Sequence, residues 1–272
     1  MEPLSLVVLL VMGTVAGAIN AAVGSGSLLT LPVLMAIGIP PGVAVRTNTV
    51  GMLFSTIGSV LGYRREIASE KHELPPLVIT AAVGSTAGAL LLLVSPASTL
   101  EVVVPVLIVV ALAMVVFQKR LTAALRARAE RRARRGPEAA RPATPEAGGS
   151  PLRSPALVGS IGAASIYGGY FTAAQGILYL GILGTFTGRS MGSVNSVKNL
   201  LSLVVNLAAA VIYVIAHFVV GAEIVWLATA AIALGALLGG YFGAHLAKKM
   251  PEWLLRGVIV VVALVALVRQ VL

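Results

Sequence analysis

The sequence predicts an all-α polytopic membrane protein made of two inverted repeats of about five helical segments each. Three observations predict it. The 272 residues are 58% hydrophobic with a mean hydropathy of +0.97, far above a soluble domain. Apolar runs recur in one order in both halves, with a short run after the first long one each time. The loops divide into a set that carries Lys and Arg and a set that carries none, as cytoplasmic and opposite sides of a membrane do.

A spanning helix needs about 20 apolar residues at 1.5 Å each. On that ruler the first half reads Leu4–Val23, a short Leu28–Ile37, Val43–Tyr63, Leu74–Val94 and Leu100–Phe117. The second reads Ala156–Phe171, a short Gln175–Leu183, Ser193–His217, Glu223–Leu246 and Trp253–Val271. The organisation is a first membrane repeat (1–118), a basic linker (119–155) and a second repeat (156–272). No Lys or Arg precedes the first apolar run, so it reads as a retained span and not as a secretory signal.

The net charge of +10 is not a nucleic-acid signal, because ten of the twenty Lys and Arg lie between Lys119 and Arg153. The run KRLTAALRARAERRARR suits a basic helix on the membrane surface beside anionic headgroups, and GPEAARPATPEAGGSP a disordered connector. The loops at 38–42, 95–99 and 217–223 carry no Lys or Arg. Placing every basic loop inside makes the linker cytoplasmic, starts the first half outside and the second inside, and so inverts the repeats. A short segment that turned back instead of crossing would change this parity.

Absences narrow the chemistry. The chain has no Cys, which excludes disulfides and thiol sites, and three scattered His, which make a metal centre unexpected. It has no Asp, and its ten Glu all fall in loops or at segment ends, so a carboxylate proton relay is unexpected. No cofactor, no nucleic-acid partner and no catalytic residue is expected, and the sequence is silent on oligomeric state.

What remains is a polar lane, built twice. Asn195, Asn199, Ser202 and Asn206 fall on one face of a helix with Lys198 beside them, and Asn48, Gly51, Ser55 and Ser59 sit at the relative positions of Asn195, Lys198, Ser202 and Asn206. Such a stripe must face protein or a watery path, because polar groups facing lipid are costly. Lys198 borders a lane where a passing anion would offset its charge, or it snorkels to the interface. Arg46, beside Thr47 and Asn48, invites the same two readings at the other mouth. Each short segment follows a break. In the first, Asn20–Leu31, Gly24 and Gly26 permit non-helical backbone, and Ser25 or Ser27 can cap the next helix. In the second, Tyr167–Ile177, Thr172 can cap, and Tyr170 and Gln175 are candidate contacts. Helix N-termini meeting from opposite sides would favour an anion. Close packing of small residues is the other reading of the glycines, but it does not explain a short segment after each break, and clearer packing candidates are Gly84 with Gly88, and Gly235, Gly239 and Gly243.

The stretches GAINAAVGSGSLLTLPVLMAIGIPPGVAVRTNTVG and GGYFTAAQGILYLGILGTFTGRSMGSVNSVKNLLSLVVNLAAAVIY resemble the two halves of the TauE/SafE family of sulfite exporters and sulfonate uptake permeases. The resemblance implies a bacterial inner-membrane permease for sulfite, sulfonates or other sulfur-bearing organic anions. Relatives tend to have fuller glycine runs at both breaks; here Ser25, Ala173 and Ala174 interrupt them. The expected ligand set is Asn20, Ser25, Gly26, Ser27, Arg46, Thr47, Asn48, Tyr170, Thr172, Gln175, Asn195, Lys198, Asn199 and Asn206. An inside-negative potential favours anion export by about 2.3 kcal/mol per 100 mV. Competing readings are an uptake permease, an anion channel and a membrane serine hydrolase using Ser25 or Ser27.

Overall fold

In the computed structural model of the chain, the residues described are 3–134, 151–187 and 191–246, and every regular element among them is helical. In order these are α1 (Pro3–Ala22), α2 (Ser27–Ala36), α3 (Pro41–Gly62), α4 (Arg64–Ser69), α5 (Pro75–Val94), α6 (Ala97–Arg134), α7 (Pro155–Phe171), α8 (Gln175–Thr187), α9 (Met191–Val220) and α10 (Trp226–Leu246). A 3-10 turn, Pro151–Arg153, precedes α7. Prolines start α3, α5 and α7, where the missing N–H is no loss. The expected span Trp253–Val271 lies outside the described residues.

Among the described residues five helices are long and apolar enough to cross a membrane: α1, α5, α6 over Ala97–Phe117, α9 over Val194–Val220 and α10 over Trp226–Ala244. The short segments are as short as expected. At 1.5 Å per residue, the 10 residues of α2 and 13 of α8 reach about 15 and 20 Å, less than a hydrocarbon core of about 30 Å.

Three details differ from expectation. The basic run from Lys119 is not a separate surface helix; it continues α6 without interruption to Arg134, giving a helix of 38 residues. A short helix, α4, occupies the loop after α3. And α10 begins at Trp226, not at Glu223, because the preceding chain is bound to α3: Arg46 Nε donates to the Glu223 carbonyl (3.0 Å) and the Val225 N–H to Thr47 Oγ1 (3.1 Å).

The packing interleaves the halves. α1 lies on α10 and α7 on α5; α10 also contacts α3, and α5 contacts α9. Each half therefore lends its first helix to the span that follows the other half's polar lane. α3 and α9, the two lane helices, meet each other at the centre. The shell faces outward with Leu207, Val211 and Ile215 on α9 and Ile79, Val83 and Leu90 on α5, all exposed as lipid-facing side chains are.

Backbone contact makes the seams tight. A Cβ on Gly239 would lie 1.9 Å from the Thr14 carbonyl oxygen of α1, and one on Gly88 would lie 2.0 Å from that of Ile166 on α7. Both glycines belong to the stripes that the sequence marks for packing. Without a hydrophobic force between helices in lipid, such approach is a main source of association. Gly239→Ala is expected to lower stability by about 1–3 kcal/mol, the range for overpacking. Gly159→Ala, on α7 with nothing within 4 Å of its would-be Cβ, should leave stability unchanged or raise it by up to about 1 kcal/mol. Thermal unfolding of the two variants in detergent makes the comparison.

Candidate functional site

The first break forms because Gly24, at φ +81°, turns the chain out of α1. The N–H groups of Val23 and Gly24 both return to the Ile19 carbonyl, at 2.8 and 3.3 Å. The second break forms at Thr172 (φ 60°) and Ala174 (φ 59°), two residues with side chains held in the left-handed region. That region costs a non-glycine residue roughly 1–2 kcal/mol and is unusual for a β-branched one. Strain of this kind persists only where the surroundings over-determine the backbone.

The breaks touch. The Gly176 N–H donates to the Gly24 carbonyl at 3.1 Å, and a Cβ on either glycine would stand 2.4 Å from the Cα of the other. Two chain interruptions 152 residues apart thus share a backbone hydrogen bond.

The expected caps are not made. α2 starts with Gly26 at the N-cap and no side-chain cap, so neither Ser25 nor Ser27 caps it. Thr172 is the C-cap residue of α7, its hydroxyl donating to the Phe171 carbonyl (2.7 Å), and it does not cap α8. In both cases the tight turn carries the serine or threonine out of register with the helix that follows. Ser25 is fully buried, Ser27 nearly so, and Gly26 packs against the Ala16 carbonyl of α1, 2.1 Å from its would-be Cβ.

α9 supplies the partners for the end of α1. Lys198 does not snorkel. It is fully buried, and its ammonium donates to the carbonyls of Asn20 (2.9 Å) and Ala21 (3.2 Å), the last turn of α1. Asn199 Nδ2 and Asn195 Nδ2 also donate to the Ala21 carbonyl, at 3.3 and 3.4 Å, and Asn195 Nδ2 lies 2.8 Å from the Tyr63 hydroxyl at the end of α3. A cation at a helix C-terminus meets orphan carbonyls and the negative end of the dipole together. Two turns on from Lys198, Asn206 Oδ1 accepts from Gln175 Nε2 at the start of α8 (3.0 Å). Further along, the Tyr213 hydroxyl donates to the Gly169 carbonyl near the end of α7 (2.7 Å).

α3 serves the breaks from the other side. Asn20 Nδ2 donates to Ser55 Oγ (3.2 Å), Thr30 Oγ1 to Asn48 Oδ1, and Thr49 Oγ1 lies 3.3 Å from Thr172 Oγ1. Arg46 and Thr47 are held apart from this centre, at the α9–α10 loop, and Arg46 borders an open pocket of about 140 Å³ shared with Ser95, Leu100 and Glu101. Tyr170 is half-buried in the last turn of α7, against the apolar core.

The structure thus gathers Asn20, Asn195, Lys198 and Asn199 at one end, Gln175 with Asn206 at the middle, and Asn48 and Thr172 on α3's flank. Thr30, Thr49, Tyr63 and Tyr213 join them without having been anticipated. Thr49, next to Asn48 on α3, could have been found by widening that lane by one residue; Thr30 on α2 and single tyrosines in apolar helices carry no such signal. Five atoms here are shut from solvent without a hydrogen-bond partner: Ser25 Oγ, Asn48 Nδ2, Gln175 Oε1, Asn195 Oδ1 and Ser202 Oγ. Among the described residues Ser25 Oγ has no hydrogen-bond partner, and His217 is engaged with the Ala222 carbonyl and the Trp226 indole N–H.

Buried polar lanes inside a shell of apolar spans, converging on two broken helices, are the build of a membrane transporter. The chain belongs to the family described as Sulfite exporter TauE/SafE, matching it over residues 9–269. It is 28% identical over 265 residues to the probable membrane transporter protein YfcA of Escherichia coli K12, covering 97% of this chain and 88% of that one. It is 23% identical over 266 residues to a probable membrane transporter protein of Haemophilus influenzae, covering 98% and 94% of the two. A shorter match, 32% over 101 residues, is to the probable membrane transporter protein ORF9 of a Sinorhizobium species, covering 37% and 39%. No solved structure matches the chain.

The contact between the breaks gives a direct test. Gly24→Ala places a methyl 2.4 Å from the Gly176 Cα at φ +81°. Left-handed strain and overpacking together should lower stability by about 2–4 kcal/mol, read as a fall in melting temperature of the purified protein.

Proposed function

We propose that this protein is a secondary permease that moves sulfite, a sulfonate or another small sulfur-containing organic anion across the bacterial inner membrane, in the export direction. It works by alternating access of two inverted halves, with the basic linker cytoplasmic and near anionic lipid. The observation that carries this reading is the set of unpartnered buried polar atoms on the first break, α3, α8 and α9. An unsatisfied buried polar atom costs about 1–3 kcal/mol, and five around one crossing need a guest or water to complete them. The buried ammonium of Lys198 and the uncapped start of α2 bias that guest toward negative charge. Family membership supports sulfur oxyanions as the class to try first. Export accords with the membrane potential, since outward movement of one negative charge gains about 2.3 kcal/mol per 100 mV. An anion channel would use the same features; saturable flux with counterflow is the mark of a carrier.

The test is binding of sulfite, sulfoacetate, taurine, thiosulfate and lactate to purified protein by calorimetry. A sulfur-bearing anion is expected to bind, and binding of lactate alone would overturn the substrate class. Ser25→Ala and Ser202→Ala should weaken that binding without lowering stability, because neither hydroxyl has a partner to lose. Asn206→Ala should instead destabilise by about 1–3 kcal/mol, since it strands Gln175 Nε2.

A further inference from the structure

Lys198 is fully buried, and both hydrogen bonds described for its ammonium go to carbonyls in the last turn of α1. The chain has no Asp, and its ten Glu lie at loops and segment ends, so no carboxylate sits in the lane to neutralise it. When Lys198 is protonated, no described group at the centre of the empty protein offsets its charge. That charge also spans the molecule's seam: Lys198 is on a lane helix of the second half, and Asn20 and Ala21 end the first helix of the first half. Asn195 and Asn199 reinforce the same joint. Any rearrangement of one half against the other must release the ammonium from α1. Released into an apolar interior with no partner, a cation is penalised heavily. Released toward a bound anion, it has a better partner than the carbonyls it leaves.

Resting on the anion-permease reading above, we propose that Lys198 is a built-in counter-charge that locks the empty carrier and is unlocked by substrate, so that the protein exchanges one monoanion for another faster than it releases anion in net flux. The loaded centre, ammonium plus monoanion, is neutral and reorients readily. The empty centre reorients slowly and carries one positive charge with it. In an export cycle that empty step moves positive charge inward, so an inside-negative potential accelerates it. Voltage then acts on net efflux and leaves self-exchange untouched. The unpartnered hydroxyl of Ser202, one turn beyond Lys198 on the same face, is placed to share the incoming anion.

The experiment uses full-length protein in liposomes loaded with radiolabelled methanesulfonate, a monoanion with no titratable group in the working range. Efflux is measured into gluconate and into unlabelled methanesulfonate, with and without an inside-negative potassium diffusion potential. Exchange should exceed net efflux by at least about tenfold at zero potential, a barrier difference of about 1.4 kcal/mol. The potential should speed net efflux alone. Lys198→Met should bring the two fluxes together, and Lys198→Arg, which keeps the charge if the Met variant does not fold, should keep them apart. Equal exchange and net efflux in the unaltered protein, or a potential that drives exchange, overturns the inference while leaving a permease. A protein that shows no saturable flux of methanesulfonate and binds none of the sulfur anions overturns the permease reading itself.

Discussion

A helix that ends among buried residues leaves its last carbonyls with nothing to bond, and the rest of this structure depends on how that is met at the end of α1. Buried there, those carbonyls are shut from water. α9 does, with an ammonium and two carboxamides directed at Asn20 and Ala21. Because the break is satisfied, α2 can restart a short helix, and because α2 is short, its start meets the second break and not a membrane surface. The Gly24–Gly176 contact follows from that meeting. Without the α9 side chains the break would be an expensive hole; with them it is the centre of the fold.

Interleaving protects the same centre. Had each half packed only within itself, the lane helices α3 and α9 would each need a separate cover. Instead α1 lies on α10, α7 lies on α5, and those covers lie in turn on α3 and α9. Polar atoms on the lanes are thereby turned toward the two breaks and the helices beside them, which is why Ser55, Ser59, Asn199 and Asn206 are buried although α9 also carries lipid-facing residues such as Leu207 and Ile215. The glycine contacts at Gly88 and Gly239 hold these covers close enough to exclude lipid.

Much of this was legible in the sequence because it is periodic. The stripe from Asn195 to Asn206, the long and short apolar runs and the small-residue seams all follow from helical spacing, and among the described residues the helices fall where the spacing implies. What spacing could not give was direction at a break. Ser25, Ser27 and Thr172 look like N-caps by residue type, but left-handed or tight backbone at Gly24, Thr172 and Ala174 rotates them out of capping position. Lys198 showed only that a cation lay beside the lane; that it reaches across to another helix's end requires the fold. The basic run after Phe117 looked separable because composition changes there, yet helix propensity does not, and α6 runs on.

The two halves share a plan but not a chemistry, and the difference is informative. The end of α1 is held by a cation, whereas the end of α7 is held by neutral hydroxyls, Tyr213 on the Gly169 carbonyl and Tyr167 on the Ala173 carbonyl. The position in α3 that matches Lys198 is Gly51, buried against Ile232 of α10. A symmetric carrier with a lysine in both lanes would hold two like charges near one another across the Gly24–Gly176 contact, and their repulsion would open the joint that the breaks need. One cation avoids that. The lysine therefore lies in the α9 lane and not at the matching place in α3, and the two breaks, which meet at Gly24 and Gly176, are held by different groups.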